Sequence, residues 1–201
     1  VNTQGKISSV GLPNGKSLYY GYDSNESLVS YTDANGNTIT YQYDGNHQMT
    51  SWCDANKTKI IDNVYDSEGR VTLQKDAEGN VTTLEYSQGK TKTTDANGNV
   101  TSYYYDNSYR TTKIENADST VTSKEYDSNN NLASETNELG NKTSYSYDAN
   151  GNITAITRFD GSSKSYVYNS SNLLTQATDF DGKITKYDYD ANGNLTKITN
   201  N

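Results

Sequence analysis

The chain has 201 residues, of which only 31% are hydrophobic, yet it carries 19 tyrosines beside a single Trp, Met, Cys, His and Pro; that leaves little Leu, Ile and Val for an ordinary aliphatic core and too many aromatics for a disordered chain. A formal charge of −8 with 17 scattered basic residues argues against nucleic acid and against long polyanions as partners, because phosphate binding needs clustered Lys and Arg. The lone Cys53 excludes an internal disulfide, and no stretch approaches the run of about 18 apolar residues that a membrane span needs.

The elements are short and evenly spaced. A degenerate first unit, with the turn Leu12-Pro13-Asn14-Gly15, precedes Tyr22. From Tyr22 onward a Tyr followed by Asp, Asn or Ser recurs at Tyr43, Tyr65, Tyr86, Tyr105, Tyr126, Tyr147, Tyr168 and Tyr189, at spacings of 21, 22, 21, 19, 21, 21, 21 and 21 residues. A second landmark lies between these tyrosines: Asp33, Asp54, Asp76, Asp95, Asn116, Asn137, Arg158 and Asp179 each open a four-residue D-x-x-G-like element. Self-similarity at a fixed period marks a repeat architecture, here with two turns per unit. One residue is gained between Asp54 and Tyr65, which predicts a bulge. Two are lost between Tyr86 and Asp95, at Tyr86-Ser87-Gln88-Gly89-Lys90.

The turns have a physical basis. In Asp33-Ala-Asn-Gly36, Asp95-Ala-Asn-Gly98, Asp148-Ala-Asn-Gly151 and Asp190-Ala-Asn-Gly193 the leading carboxylate caps its own turn. Ala and Asn suit the central positions of a type I turn, and Gly at the fourth accepts positive φ. Between the turns, Thr143-Ser-Tyr145-Ser-Tyr147, Ile39-Thr-Tyr41-Gln-Tyr43 and Thr185-Lys-Tyr187-Asp-Tyr189 alternate with period two, as half-buried strands do. The other strand of each unit begins with Leu28, Met49, Val71, Leu132, Ile153, Leu174 or Leu195. Three residues later it carries Tyr31, Trp52, Ile114, Ile156, Ala177 or Ile198. A spacing of three puts those columns on opposite faces of a regular strand, so either both faces are partly covered or a bulge resets the register. A helix is excluded by the recurring Gly and Asn and by the absence of a 3.6-residue apolar period.

These features predict an all-β fold: a single array over residues 1–201 of about nine tandem β-hairpin units of about 21 residues, forming a continuous curved antiparallel β-spiral sheet of about 18 strands. With no initiating Met, and stopping just after the strand-like Leu195-Thr-Lys-Ile-Thr199, the chain reads as a fragment of a longer protein.

The motif Tyr-Asp-x-x-Gly-Asn-Leu/Ile-Thr at 147–154 and 189–196, with Asp33-Ala-Asn-Gly-Asn-Thr-Ile-Thr-Tyr-Gln-Tyr-Asp44, resembles the YD-repeat, or RHS-repeat, family over nearly the whole length. The resemblance implies a spiral β-sheet that winds into a hollow shell, found in large secreted or surface bacterial proteins, insecticidal toxin complexes and teneurins, and often enclosing a C-terminal toxic domain. Departures are Tyr86-Ser87, Tyr168-Asn169, the short unit, and Glu26, His47 and Tyr109 where the pattern has Gly. The family's autoproteolytic segment and variable toxin tail are not visible.

Nothing in the chain reads as a catalytic site, and no cofactor or metal is expected. The D-x-N-G-N loops lack the Glu and further oxygen ligands of a calcium loop and read as capped turns. His47 reads as a surface turn residue with no Ser or Cys placed to pair with it, Cys53 as a half-buried structural thiol, and the carboxylates as the turn-capping column. The tyrosines read mainly as core, ring stacked on ring between units, with each buried ring removing about 150–250 Å² from water. The rival reading is a carbohydrate-binding ladder of Tyr41, Tyr43, Tyr103, Tyr105, Tyr145, Tyr147, Tyr187 and Tyr189. The leading functional expectation is a non-catalytic stretch of shell wall in an extracellular or bacterial cell-surface protein, encapsulating or displaying domains such as a toxin. The alternative is a glycan- or cell-wall-binding module. Expected partners are the flanking domains of the same polypeptide and a glycan or cell wall, with edge-to-edge self-association wherever strands stay unpaired.

Overall fold

The structure, a computed structural model, describes residues 1–3 and 5–200. Among these there is no helix, and nineteen strands occur. The chain divides into two compact units, residues 1–87 with 91–100, and residues 88–90 with 101–201. In the first unit β1 (Ser9–Gly11), β2 (Ser17–Tyr22), β3 (Leu28–Thr32), β4 (Thr38–Tyr43), β5 (Met49–Cys53), β6 (Lys59–Tyr65), β7 (Val71–Asp76) and β8 (Val81–Ser87) follow one another as an antiparallel meander. The division passes through β9 (Lys90–Thr94) and β10 (Val100–Tyr105). In the second unit the meander runs from β10 through β11 (Thr111–Glu115), β12 (Val121–Tyr126), β13 (Leu132–Thr136), β14 (Lys142–Tyr147), β15 (Ile153–Thr157), β16 (Ser163–Tyr168), β17 (Leu174–Thr178), β18 (Ile184–Tyr189) and β19 (Leu195–Asn200). All-β hairpin repeats are therefore what the sequence builds.

The predicted D-x-x-G-like turns form, and those of both rims share one backbone construction. At Asp33 the backbone N–H donates to the Asn37 carbonyl at 2.9 Å, and the Gly36 N–H donates to the Asp33 carbonyl at 3.1 Å. Asp33 Oδ1 accepts from the N–H groups of Asn35 and Asn37, at 2.8 and 2.9 Å, and Oδ2 accepts from the Asn37 amide at 2.8 Å. The fourth position is left-handed whatever residue stands there. Glycines such as Gly36 and Gly151 take φ of 87° and 84°, and Glu26, His47, Lys57, Tyr109, Ser119, Asn130 and Asn172 are forced to 58–70°. The departures from Gly thus keep the turn at a cost in backbone strain of about 1–2 kcal/mol each.

The structure also decides between the two readings of the apolar columns. In the β2–β3 hairpin Tyr22 faces Leu28 while Gly21 faces Ser30, so Val29 is an extra residue and Tyr20 faces Tyr31. In β14–β15 Tyr147 faces Ile153, Ser146 faces Ala155, and Thr154 is extra. The same shift occurs at Tyr43, Tyr65, Tyr105, Tyr126, Tyr168 and Tyr189. A one-residue bulge turns over every later side chain in the strand. The residues spaced by three therefore share a face with the tyrosines, and the other face is mostly Ser, Thr and charged residues, with Tyr104, Val167 and the Val64–Leu73 pair among them. At four bulges the extra residue is a threonine whose hydroxyl donates to a carbonyl of the neighbouring strand: Thr72 to Val64, Thr112 to Tyr104, Thr175 to Val167 and Thr196 to Asp188, at 3.0–3.3 Å. The residue inserted before Tyr65 is likewise a bulge, with Trp52 facing Ile61 and Cys53 facing Lys59.

No large apolar side chain is fully buried among the described residues. Those that are buried are Ser51, Asn63, Ser102 and Ser134. This is a single-layer sheet whose aromatic face is half-covered by its own rings.

Candidate functional site

All eight tyrosines of the predicted ladder are half-buried and lie on this aromatic face. Tyr41 and Tyr43 face Trp52 and Met49 in the first unit. In the second, Tyr103 faces Ile114, Tyr105 faces Thr111, Tyr145 faces Ile156, Tyr147 faces Ile153, Tyr187 faces Ile198 and Tyr189 faces Leu195.

Their packing differs from the predicted ring-on-ring stack. One such ring pair is Tyr20–Tyr31, with centroids 5.4 Å apart. Six of the nine YD tyrosines instead reach the neighbouring, preceding strand through their hydroxyls. Tyr43 donates to the Leu28 carbonyl at 3.0 Å, Tyr65 to Met49 at 2.7 Å, Tyr86 to Val71 at 2.7 Å, Tyr126 to Thr111 at 3.3 Å, Tyr147 to Leu132 at 2.9 Å and Tyr189 to Leu174 at 2.8 Å. The backbone explains the choice. Pairing between β13 and β14 ends at Ser134 and Ser144, so the Leu132 carbonyl has no ladder donor, and a carbonyl withheld from water needs one. The phenol supplies it from the neighbouring strand. In six repeats a hydroxyl-to-carbonyl bond therefore ties neighbouring strands where the ladder stops. Sequence reasoning missed this because the acceptor is a backbone group exposed only by the ladder's early end. Some rings are covered by cations, with the Arg70 and Arg110 guanidinium carbons 4.5 and 4.3 Å from the ring centroids of Tyr86 and Tyr126.

Tyr145 differs. Its hydroxyl donates to Glu135 Oε1 at 2.6 Å, and that bond, helped by partial burial, pushes the phenol up to about 12. Burial raises Tyr43, Tyr147 and Tyr168 as well. The hydroxyls of Tyr41, Tyr103, Tyr105 and Tyr187 have no partner among the described residues. Of the eight, these four have hydroxyls free to meet a ligand.

The remaining candidates are turn chemistry. Turn aspartates are held below the usual carboxylate range by their own loops: Asp33, Asp95, Asp148 and Asp190 chiefly by the Asn four residues on, and Asp66 chiefly by the Arg70 N–H. Their Oδ1 lone pairs are taken by backbone N–H groups, and among the described residues no three His, Cys, Asp or Glu side chains gather as metal ligands. His47 does have a serine neighbour, which the sequence did not reveal: Ser27 Oγ lies 3.2 Å from His47 Nδ1, on the next turn of the same rim. Cys53 is half-buried in β5 on the face opposite Trp52. Polar pairs interrupt the aromatic face in two places. Asn63 faces Gln74 and accepts its amide at 3.0 Å, and Lys124 faces Glu135.

The class of protein is set by one unit restated along the chain: a tandem β-hairpin repeat. The RHS Repeat family model matches residues 27–51, 126–163 and 168–201, and the chain belongs to that family, the YD or RHS repeats. It is similar in fold to the crystal structure of TcdB2-TccC3-Cdc42, with a TM-score of 0.66 and 19% identity over 92% of this chain and 12% of that one. The crystal structure of TcdB2-TccC3 gives a TM-score of 0.65 and 19% identity, again over 92% of this chain and 12% of that one. The Tc holotoxin pore of Photorhabdus luminescens gives 0.58 and 16%, over 92% of this chain and 13% of that one. The chain thus spans about an eighth of the chains it resembles. No curated protein sequence matches it.

Proposed function

We propose that the array is a non-catalytic stretch of β-spiral shell wall in a large extracellular or cell-surface bacterial protein, enclosing or displaying other domains of the same polypeptide, such as a toxin. The observation that supports this best is uniformity. Turn and bulge recur from repeat to repeat, and the tyrosine hydroxyl bond in six of them, which suits a wall that acts by excluding rather than by chemistry. The shared fold with chains of Tc toxin structures supports the same reading. Limited proteolysis of the full-length parent tests it: a neighbouring domain resists protease until the wall is unfolded. A domain cleaved as fast in the intact protein as after denaturation contradicts enclosure.

A second reading, glycan binding by the tyrosine ladder, is favoured by the half-open rings and the four free hydroxyls. Retention on peptidoglycan that falls for Tyr41→Ala and Tyr187→Ala, with unchanged β-sheet circular dichroism, supports it. Equal retention of variants and parent discards it. Self-association through a sheet edge belongs with these proposals, because Leu195 and Ile198 of β19 are 50% and 55% exposed where their counterparts in inner strands are half-buried. Sedimentation tests it: association that weakens in Ile198→Lys supports the edge contact, and a concentration-independent monomer discards it.

A further inference from the structure

The turns of the Asp33 series change character along the chain. Five of them have small or polar tips: Ala34-Asn35, Ala55-Asn56, Ala77-Glu78, Ala96-Asn97 and Ala117-Asp118. The next three, all in the second unit, put a large apolar side chain there: Leu139, Phe159 and Phe180. Leu139 is 84% and Phe159 66% exposed, in a chain only 31% hydrophobic. Phe180 is half-buried, with the Arg158 guanidinium carbon 3.5 Å and the Lys164 ammonium 4.8 Å from its ring centroid. These three turns are joined by paired strands, β13 to β18, and successive ones lie two strands apart, about 9–10 Å. Their tips therefore form one row, and an exposed apolar row on a polar protein marks a contact surface.

The row has an internal symmetry. At its centre the turn Arg158-Phe159-Asp160-Gly161 sets opposite charges on either side of an exposed ring, and one repeat away in each direction stands another apolar residue, Leu139 or Phe180. Neither central charge is used up. The other two arginines are clamped to turn carboxylates, Arg70 to Asp66 and Arg110 to Asp106, both at 2.7 Å. Arg158 forms no ion pair among the described residues, and a guanidinium stacked on a ring keeps its in-plane N–H donors. Asp160 Oδ1 accepts from the Ser162 N–H and hydroxyl, at 2.9 and 2.6 Å, while Oδ2 has no partner among the described residues. Glu138, beside Leu139, is drawn to the preceding turn, where it accepts from the Asn116 amide at 2.9 Å.

We propose that this row is a two-fold contact between two copies of the chain. A two-fold axis through the Phe159 turn lays one row against the other in reverse. Phe159 then meets the second copy's Phe159, Leu139 meets its Phe180, and Arg158 meets its Asp160 on both sides of the axis. The apolar side chains supply the affinity. Exposed ion pairs add little strength; they fix the register, because a parallel row sets Arg158 against Arg158 and Asp160 against Asp160. An unlike partner would have to bring cation, ring and carboxylate in the matching reversed order, whereas a second copy brings them by symmetry. Three side chains from each copy bury less than the roughly 1,200 Å² of a stable interface, so the dimer is weak and fills at high concentration. The contact lies on turn tips away from the edge of β19, and it is independent of the wall reading.

Sedimentation velocity of the whole chain over about a hundredfold range of concentration tests it. The chain shifts from monomer towards dimer, and Leu139→Ser and Phe159→Ser each weaken dimerisation about tenfold. The dimer persists in Ile198→Lys, which separates this contact from edge pairing. A charge exchange tests the two-fold pairing itself. Arg158→Asp gives a turn like the native Asp179-Phe-Asp-Gly182, and Asp160→Arg changes a tip position that already varies among Asn, Asp, Glu and Leu. Each of these variants alone is monomeric with the circular dichroism of the parent, and an equimolar mixture of the two regains the dimer. A concentration-independent monomer overturns the proposal. So does association that survives both serine variants, association lost in Ile198→Lys, growth beyond a dimer that persists in Ile198→Lys, or a mixture of the two charge variants that stays monomeric.

Discussion

Each residue of the repeat motif has a separate physical task. In the stretch from Tyr147 to Thr154, Tyr147 donates its hydroxyl to the Leu132 carbonyl, Asp148 caps two N–H groups and holds the Asn152 amide, Gly151 supplies the left-handed position, Ile153 faces the tyrosine, and Thr154 is the bulge. Tyr147→Phe leaves that half-buried carbonyl without its donor and costs about 1 kcal/mol, read as a lower urea midpoint; an unchanged midpoint would show that water replaces the phenol. The opposite sign is expected at Tyr109, which is 89% exposed and held at φ 58°: Tyr109→Gly relieves strain and raises stability by about 1 kcal/mol, and a fall in the midpoint would contradict this. Tyr145 provides a titration test. Its phenol is raised, first by Glu135, to about 12, so its contribution is complete below the ordinary value of 10.0 and is lost as pH climbs through the folded value. Spectrophotometric titration should show late-ionising phenols, of which one moves down in Glu135→Gln. The turn residues were legible because their chemistry is local. The hydroxyl acceptors, the Ser27–His47 contact and the bulge threonines were not, since each depends on a register that sequence spacing left open.

Among the elements, the hairpin is held by its turn, and the turn is pH-sensitive. Asp33, Asp66, Asp76, Asp95, Asp106, Asp118, Asp127, Asp148, Asp160 and Asp190 all have lowered values. They bind protons less readily folded than unfolded, so the stability they lend is present above the unfolded value of about 3.8 and disappears as pH falls through the folded values. Urea midpoints should therefore hold steady from pH 7 to about pH 4 and fall below it, and a midpoint independent of pH down to acid would refute the capping role. Asn137 and Asn169 build the same turn with an uncharged side chain, so Asp95→Asn should keep the hairpin and lessen the acid loss. The bulge is the second device at this scale. Its existence explains why an apolar spacing of three, which points to both faces in a regular strand, serves one face here: Leu28 and Tyr31 face Tyr22 and Tyr20. The sequence showed that something must reset the register without showing where.

For the whole molecule, the repeat was the most legible feature, because a polar chain with 19 tyrosines has few ways to withdraw apolar surface from water, and Tyr set at a constant period between turns is one. What remained illegible is that no fully buried apolar core results among the described residues; stability comes from neighbour-to-neighbour terms that add along the array. Excising one whole unit, residues 127–147, should therefore leave β-sheet circular dichroism and a cooperative transition, whereas excising half a unit joins strands of the wrong direction and should abolish it. The wall reading itself is tested most directly by electron microscopy of the full-length parent polypeptide. The account predicts these hairpins in a continuous sheet bounding an enclosed volume that holds other parts of the same chain. A map showing the array as an isolated rod, with its neighbouring domains outside and no cavity beside it, would contradict the account.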